Sequence, residues 1–242
     1  MAQYWFDWAN DAVDSSPAGV TKRFTTNDSL TVISSVSGYS GKVLRWALSS
    51  TARRAVSFDV LDNDPGRGNI KMMARVARAS ANTSASQIGL ASRIAGGIGS
   101  ETIYQAQLTE GTGIRIAQIS AGSFAILRSD AVSAWANSSE YRHIAFEDDG
   151  TLVRMQGQLG GDYSYPTAWD ISTTSGALGG SLGLIGLATF DSSVDYFIDY
   201  VAIGTGGDLP PTGPVETGPS DPPPALLSLF TTVYPGRYGG VY

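Results

Sequence analysis

The sequence predicts an all-β protein built as a two-sheet antiparallel sandwich. Three observations carry this. Short runs of alternating apolar and polar residues recur through most of the chain, turn-forming residues separate them, and few windows show helical spacing. The 29 glycines and 11 prolines are enough to supply turns for many short strands.

The strands can be taken in order. Residues 55–61 place Val56, Phe58 and Val60 on one face and Ser57 and Asp59 on the other, the period of a half-buried strand. Asp62-Asn63-Asp64-Pro65-Gly66 ends that run with side chains suited to tight turns. In 69–78, Ile70, Met72, Ala74 and Val76 alternate with Lys71, Met73, Arg75 and Ala77. Further runs follow at 87–94, 102–108, 113–119 and 123–127, and the stretch 129–138 reads as a short helix or a loop. The clearest hairpin joins 141–146 to 151–155 through Asp148-Asp149-Gly150, since Asp-Gly between alternating runs is a strong hairpin signal. Two late strands, 183–188 and 196–203, close the domain.

Composition divides the chain into three parts. Residues 1–205 form the sandwich, a length normal for one large β domain. Residues 206–224, GGDLPPTGPVETGPSDPPP, are too rich in proline and glycine for a sheet interior and predict an extended spacer. Residues 225–242 turn apolar and aromatic again, with Leu226, Leu227, Leu229, Phe230, Val233, Tyr234, Tyr238 and Tyr242. Eighteen residues are too few for a core of their own. Leu226, Leu227, Leu229, Phe230, Tyr234, Tyr238 and Tyr242 are therefore candidate docking residues, because an exposed apolar peptide needs a surface to cover it.

Charge and residue usage exclude several functions. A net charge of −6 and a pI near 4.7 argue against nucleic-acid partners, which need clustered Lys and Arg. The absence of cysteine removes disulfides and thiolate metal sites. One histidine, His143, makes the case for a histidine triad or metal cluster thin, and a lone strand histidine is expected to be a packing or surface residue. No run approaches the ~18 apolar residues of a membrane helix, so no membrane partner is expected. Residues 1–8 lack the basic and apolar regions of a secretory signal, so synthesis and assembly in the cytoplasm are expected.

A family resemblance enters on specific residues. From about 113 to 205 the order is Leu127, Trp135, Glu140-Tyr141-Arg142, the turn Asp149-Gly150, and Val153-Arg154-Met155. Pro166, Trp169, Gly179-Gly180, Gly183-Leu184-Ile185-Gly186-Leu187 and the run 196–202 follow. This order resembles the laminin-G-like, concanavalin A-like jelly-roll domains of tailed-bacteriophage virion proteins and of some secreted bacterial proteins. Trp5-Phe6-Asp7-Trp8, then Pro17 and Gly19, then 21–24, is similar to the first strands of such domains. The resemblance spans about 205 residues and omits the tail. It implies a non-enzymatic virion component, on the tail or decorating the head. Other virion proteins and copies of the same chain would be its partners, with host surface polysaccharide as a further one.

Glycosidases of this fold use two carboxylates about 5–9.5 Å apart, and one such family places them as Glu-x-Asp-x-x-Glu. Glu147-Asp148-Asp149 offers the first half only, with Leu152 at the last position, so a solvated hairpin tip and no enzyme activity are expected. Asp59, Asp62 and Asp64, and separately Asp191, Asp195 and Asp199, are trios with oxygen ligands suited to calcium. Turn and strand-edge roles are the simpler reading of both, and no cofactor is expected. The glycines of 176–186 lack the Gly-Lys-Ser/Thr of a phosphate loop and suit turns and close packing. Tyr163, Tyr165 and Trp169 are the candidate glycan-binding residues, since aromatic rings with a polar end suit sugar faces.

Overall fold

The structure, a computed structural model, describes residues 2–24, 28–34, 36, 41–48, 52–78, 87–109, 113–131, 141–159, 164–175, 183–191 and 194–214. Leu226, Leu227, Leu229, Phe230, Tyr234, Tyr238 and Tyr242 lie outside these residues, as do 215–224 of the expected spacer, Trp135, Glu140 and residues 176–182.

The regular structure of the described residues is almost entirely strand. The first five strands are β1 (Gln3–Phe6), β2 (Val20–Lys22), β3 (Asp28–Ile33), β4 (Val43–Leu48) and β5 (Ala52–Phe58). After them come β6 (Ile70–Arg78), β7 (Gln87–Ala95), β8 (Thr102–Thr109), β9 (Gly113–Ser120) and β10 (Ser123–Asp130). The last are β11 (Arg142–Asp148), β12 (Leu152–Leu159), β13 (Ile171–Thr174), β14 (Leu184–Asp191) and β15 (Asp195–Thr205). They form two antiparallel sheets. Sheet A runs β13-β12-β11-β6-β15-β4-β3, with β1 also paired to β15. Sheet B runs β10-β9-β8-β7-β14-β5-β2. Consecutive strands in sequence repeatedly fall in opposite sheets, and the result is a jelly-roll sandwich of the concanavalin A-like kind.

Alternation explains the layers. Ile70, Met72, Ala74 and Val76 of β6 and Ile144 and Phe146 of β11 face inward. They meet Ile88 and Leu90 of β7, Tyr104, Ala106 and Leu108 of β8, and Ile114 and Ile116 of β9. Burying each large apolar side chain contributes about 1.5–3 kcal/mol, so this layer is the main source of stability. Gly157 of β12 packs tightly against the opposite sheet, because a Cβ there would lie 2.7 Å from the Ile114 side chain. The N-terminal strand is sewn in by polar contacts. Asp64, 7% exposed, accepts hydrogen bonds from Tyr4 Oη at 2.7 Å, Thr205 Oγ1 at 2.9 Å and the Gly66 N–H at 2.6 Å. Burial alone would raise the Asp64 pKa, and these hydrogen bonds outweigh it and hold the carboxyl below its ordinary value. Burial, reinforced by Asp64, pushes the Tyr4 phenol up to about 12.

Several expectations need correction. Val60 does not continue the strand: Asp59–Leu61 is a 3-10 turn, and Val60 is exposed while Leu61 is buried. Residues 129 and 130 belong to β10, paired with Arg115 and Ile114, not to a helix or loop. Strands β3, β4 and β13 are additional to those the alternation singled out. The packed chain also runs on past residue 205, with Pro210 and Pro211 buried and Gln3 Nε2 donating to the Leu209 carbonyl at 2.9 Å.

The hairpin end is not a solvated tip. Asp148 is 1% exposed and accepts two parallel hydrogen bonds from Arg93 of the opposite sheet, Nε to Oδ2 and Nη2 to Oδ1, both at 2.7 Å. Ser92 Oγ donates to the same carboxylate at 2.8 Å, and Arg93 lies over the Tyr104 ring. The register of β7 against β8 slips between Ser92 and Ala95, and Arg93 takes a φ of +55°. That bulge turns Arg93 inward beside Ser92, and Gly183 has to be glycine there because a Cβ would sit 2.3 Å from the Arg93 Cα. Removing one partner of a buried pair strands the other charge. Asp148→Ala is therefore expected to cost about 3–5 kcal/mol in urea denaturation, and Arg93→Met with Asp148→Leu together much less. A loss under about 1 kcal/mol for the single variant would show that the pair does not join the sheets.

Candidate functional site

Strand register builds two rows of side chains across the outer face of sheet A. One row runs Ser172, Arg154, Glu147 and Lys71. The next runs Gln156, Ala145, Met73, Ala202 and Trp5, with Trp5 stacked on Tyr200 at 4.5 Å. The segment 164–170 crosses this face: Ser164 and Pro166 line a small cavity with Met73, His143, Ala145 and Gln156.

Two of the three predicted aromatics come together here, and Tyr163 lies outside the described residues. Tyr165 and Trp169 meet edge to face with ring centres 5.6 Å apart. Tyr165 Oη donates to the Phe146 carbonyl at 3.3 Å, which fixes its ring to β11. The Arg154 guanidinium lies 5.9 Å from the Trp169 ring centre and reaches Glu147 at 3.3 Å and Asp149 at 3.4 Å. Asp149 Oδ1 also accepts the N–H groups of Thr151 and Leu152. Burial tends to raise the Asp149 pKa, but these backbone bonds and Arg154 hold it below the usual carboxylate range. The result is a half-exposed aromatic pair beside an arginine flanked by two carboxylates. Sequence reasoning found the rings but missed Arg154 as their partner. The signal was present in the hairpin, because residues 147 and 154 face each other across it.

The other candidates separate. Arg23 takes Asp59 and Asp62, at 3.7 and 3.0 Å, while Asp64 is held by Tyr4 and Thr205. Arg45 pairs with Asp195 at 2.6 Å and Arg75 with Asp199 at 3.2 Å, and the Asp191 side chain lies outside the described set. Among the described residues no three acidic or histidine side chains gather as metal ligands. Glu147 and Asp148, adjacent in sequence, point to opposite faces of sheet A, the first to Arg154 and the second to Arg93. His143 packs 6.0 Å from the Tyr200 ring centre and is 4% exposed, a packing rather than a surface role.

No protein-family model matches the chain, and no curated protein matches its sequence. Its fold is similar to solved structures. One is a protein of unknown function from Shewanella oneidensis MR-1, 14% identical with a TM-score of 0.55, covering 85% of this chain and 87% of that one. Another is the GH43 protein BlXynB of Bacillus licheniformis, 10% identical with a TM-score of 0.51, covering 83% of this chain and 39% of that one. A third is the cellulose-induced protein Cip1, 9% identical with a TM-score of 0.50, covering 85% of this chain and 98% of that one.

The buried histidine gives a pH test. Burial, then the nearby Arg75 charge, pull the His143 pKa down to about 4. In the unfolded chain a histidine protonates near pH ~6.5, so the unfolded state binds more protons in the interval between. Folding stability therefore falls as pH drops from about 6.5 towards 4. His143→Phe should flatten urea-derived stability between pH 7 and 5, and an unchanged slope would show that this imidazole is not held neutral.

Proposed function

We propose that the sandwich is a carbohydrate-binding module and that the outer face of sheet A around Trp169 holds the sugar. The observation that carries this is the half-exposed Tyr165–Trp169 pair fixed beside Arg154, Glu147 and Asp149. Aromatic rings take the C–H faces of a sugar, and the charged groups beside them hydrogen-bond its hydroxyls and set orientation. Preorganisation supports the reading, because Tyr165 is tied to β11 and little ordering cost remains on binding. The carboxylates are engaged with arginine or backbone N–H groups, an arrangement suited to holding a ligand. The similar sandwiches in a GH43 protein and in a cellulose-induced protein agree with a polysaccharide setting.

A place in a tailed-phage virion is the second reading, carried by the residue order from Trp135 to 202 and by the composition of the tail. In it the module faces host surface polysaccharide, and the apolar residues of 225–242 join the chain to other virion proteins or to copies of itself.

The first reading is tested on a glycan array of bacterial and plant polysaccharides. Binding should be seen, and Trp169→Ala should weaken it about tenfold to thirtyfold, as for a central aromatic in an interface. No binding across the array, or an undiminished Trp169→Ala variant, would overturn it. For the second reading, a chain ending at residue 214 should keep its fold by circular dichroism and lose incorporation into particles. Normal incorporation would exclude docking through the tail.

A further inference from the structure

The outer face of sheet B carries a separate pocket of about 200 Å³, lined by Arg53, Gln87, Ile103, Gln105, Arg115 and Phe124 among others. Its charge is unusual for an acidic protein. Arg53 is partly neutralised by Glu101, with Nη1 to Oε2 at 3.4 Å, and also donates to the Gly122 carbonyl. Arg115 has no carboxylate partner among the described residues. Its Nε donates to Gln107 Oε1 at 2.6 Å, and its guanidinium lies over the Phe124 ring at 5.3 Å. Gln87 is 8% exposed, and its Oε1 is buried without a hydrogen-bond partner. A buried acceptor with no donor costs about 1–3 kcal/mol, which a ligand donor in the pocket would recover. Arg54 lines the pocket as well, so three arginines stand around it, and Arg115 among them meets no carboxylate of the described residues; a single incoming carboxylate is its complement.

We propose that this pocket is a second binding site that takes a carboxylate-bearing sugar, a uronic acid unit. Arg115 and Arg53 hold the carboxylate, for which the planar guanidinium fork is matched. Gln87 and Gln105 receive the ring hydroxyls, and Ile103 and Phe124 cover the C–H face. Burial without an acidic partner lowers the Arg115 pKa, and a bound carboxylate relieves that cost. The choice of a sugar rests on the carbohydrate-binding reading, while the choice of a carboxylate rests on this pocket alone.

The experiment is calorimetric titration of the full chain with D-galacturonate, D-galactose and inorganic phosphate. Galacturonate should bind, with galactose and phosphate each at least about tenfold weaker. Arg115→Gln should weaken galacturonate by about tenfold or more, with an unchanged melting temperature. Phe124→Ala, on an exposed edge strand, should also weaken it and serves if Arg115→Gln misfolds. Trp169→Ala should leave galacturonate binding intact, which separates this site from the one on sheet A. Equal binding of galactose, tighter binding of phosphate, unchanged affinity in both pocket variants, or loss in Trp169→Ala would each overturn the proposal.

Discussion

The buried pair between Arg93 and Asp148 is the constraint on which the rest of the sandwich depends. Apolar contacts bring the sheets together, but they are non-directional and tolerate sliding. A bidentate guanidinium–carboxylate pair is not tolerant, since both bonds are 2.7 Å long and the planar fork fixes the orientation of both groups. It holds the end of β11 against β7, and so sets where the 149–152 turn begins. The pair also demands irregular backbone: a bulge in β7, a positive φ at Arg93 and a glycine at 183. Those features cost stability locally, roughly 1–2 kcal/mol for the φ alone. They persist because an unpaired Asp148 in the interior would cost more.

The candidate glycan site follows from that placement. Glu147 and Asp149 flank Asp148, so fixing the central residue inward leaves Glu147 on the outer face, and the turn delivers Asp149 to the same arginine. Arg154 then lies between two carboxylates and against Trp169. The Tyr165 hydroxyl, bonded to the Phe146 carbonyl, ties the loop to the same strand. One strand thus locks the sheets with its inner face and carries the candidate glycan residues' partners on its outer one.

Much of the fold was legible because large apolar side chains on the core face alternate with smaller or polar ones on the other face, even where both faces are covered. The hairpin 141–155 and strands β6 to β9 show it. Strands β3 and β13, the two edge strands of sheet A, were missed. Strand β4 was missed too, although Leu44, Trp46 and Leu48 face the core and alternate with exposed Arg45 and half-buried Ala47. Val60 fits the alternating pattern, yet the chain has already turned by then. The site was half legible. Tyr165 and Trp169 are close in sequence and could be paired by eye, whereas the Arg93 partner of Asp148 is 55 residues away and reaches it only through a bulge. No local pattern announces that Asp148 points inward, because Asp-Gly turns usually face water.

The chain's use of cations ties these features together. Thirteen of its sixteen basic residues are arginine, in a protein with 22 acidic residues. Arginine stays charged when buried and offers a planar fork, so it suits sites where a carboxylate must be met in a fixed geometry. Arg23, Arg45, Arg75, Arg93 and Arg154 each meet one within the chain. Against that surplus of acid, a half-buried Arg115 that among the described residues meets a glutamine oxygen and a phenyl ring but no carboxylate is a departure from the pattern. Folding alone does not explain it, since a neutral side chain would fill the space without the cost of burying a charge. The proposed carboxylate ligand would supply the counter-charge that the described residues do not.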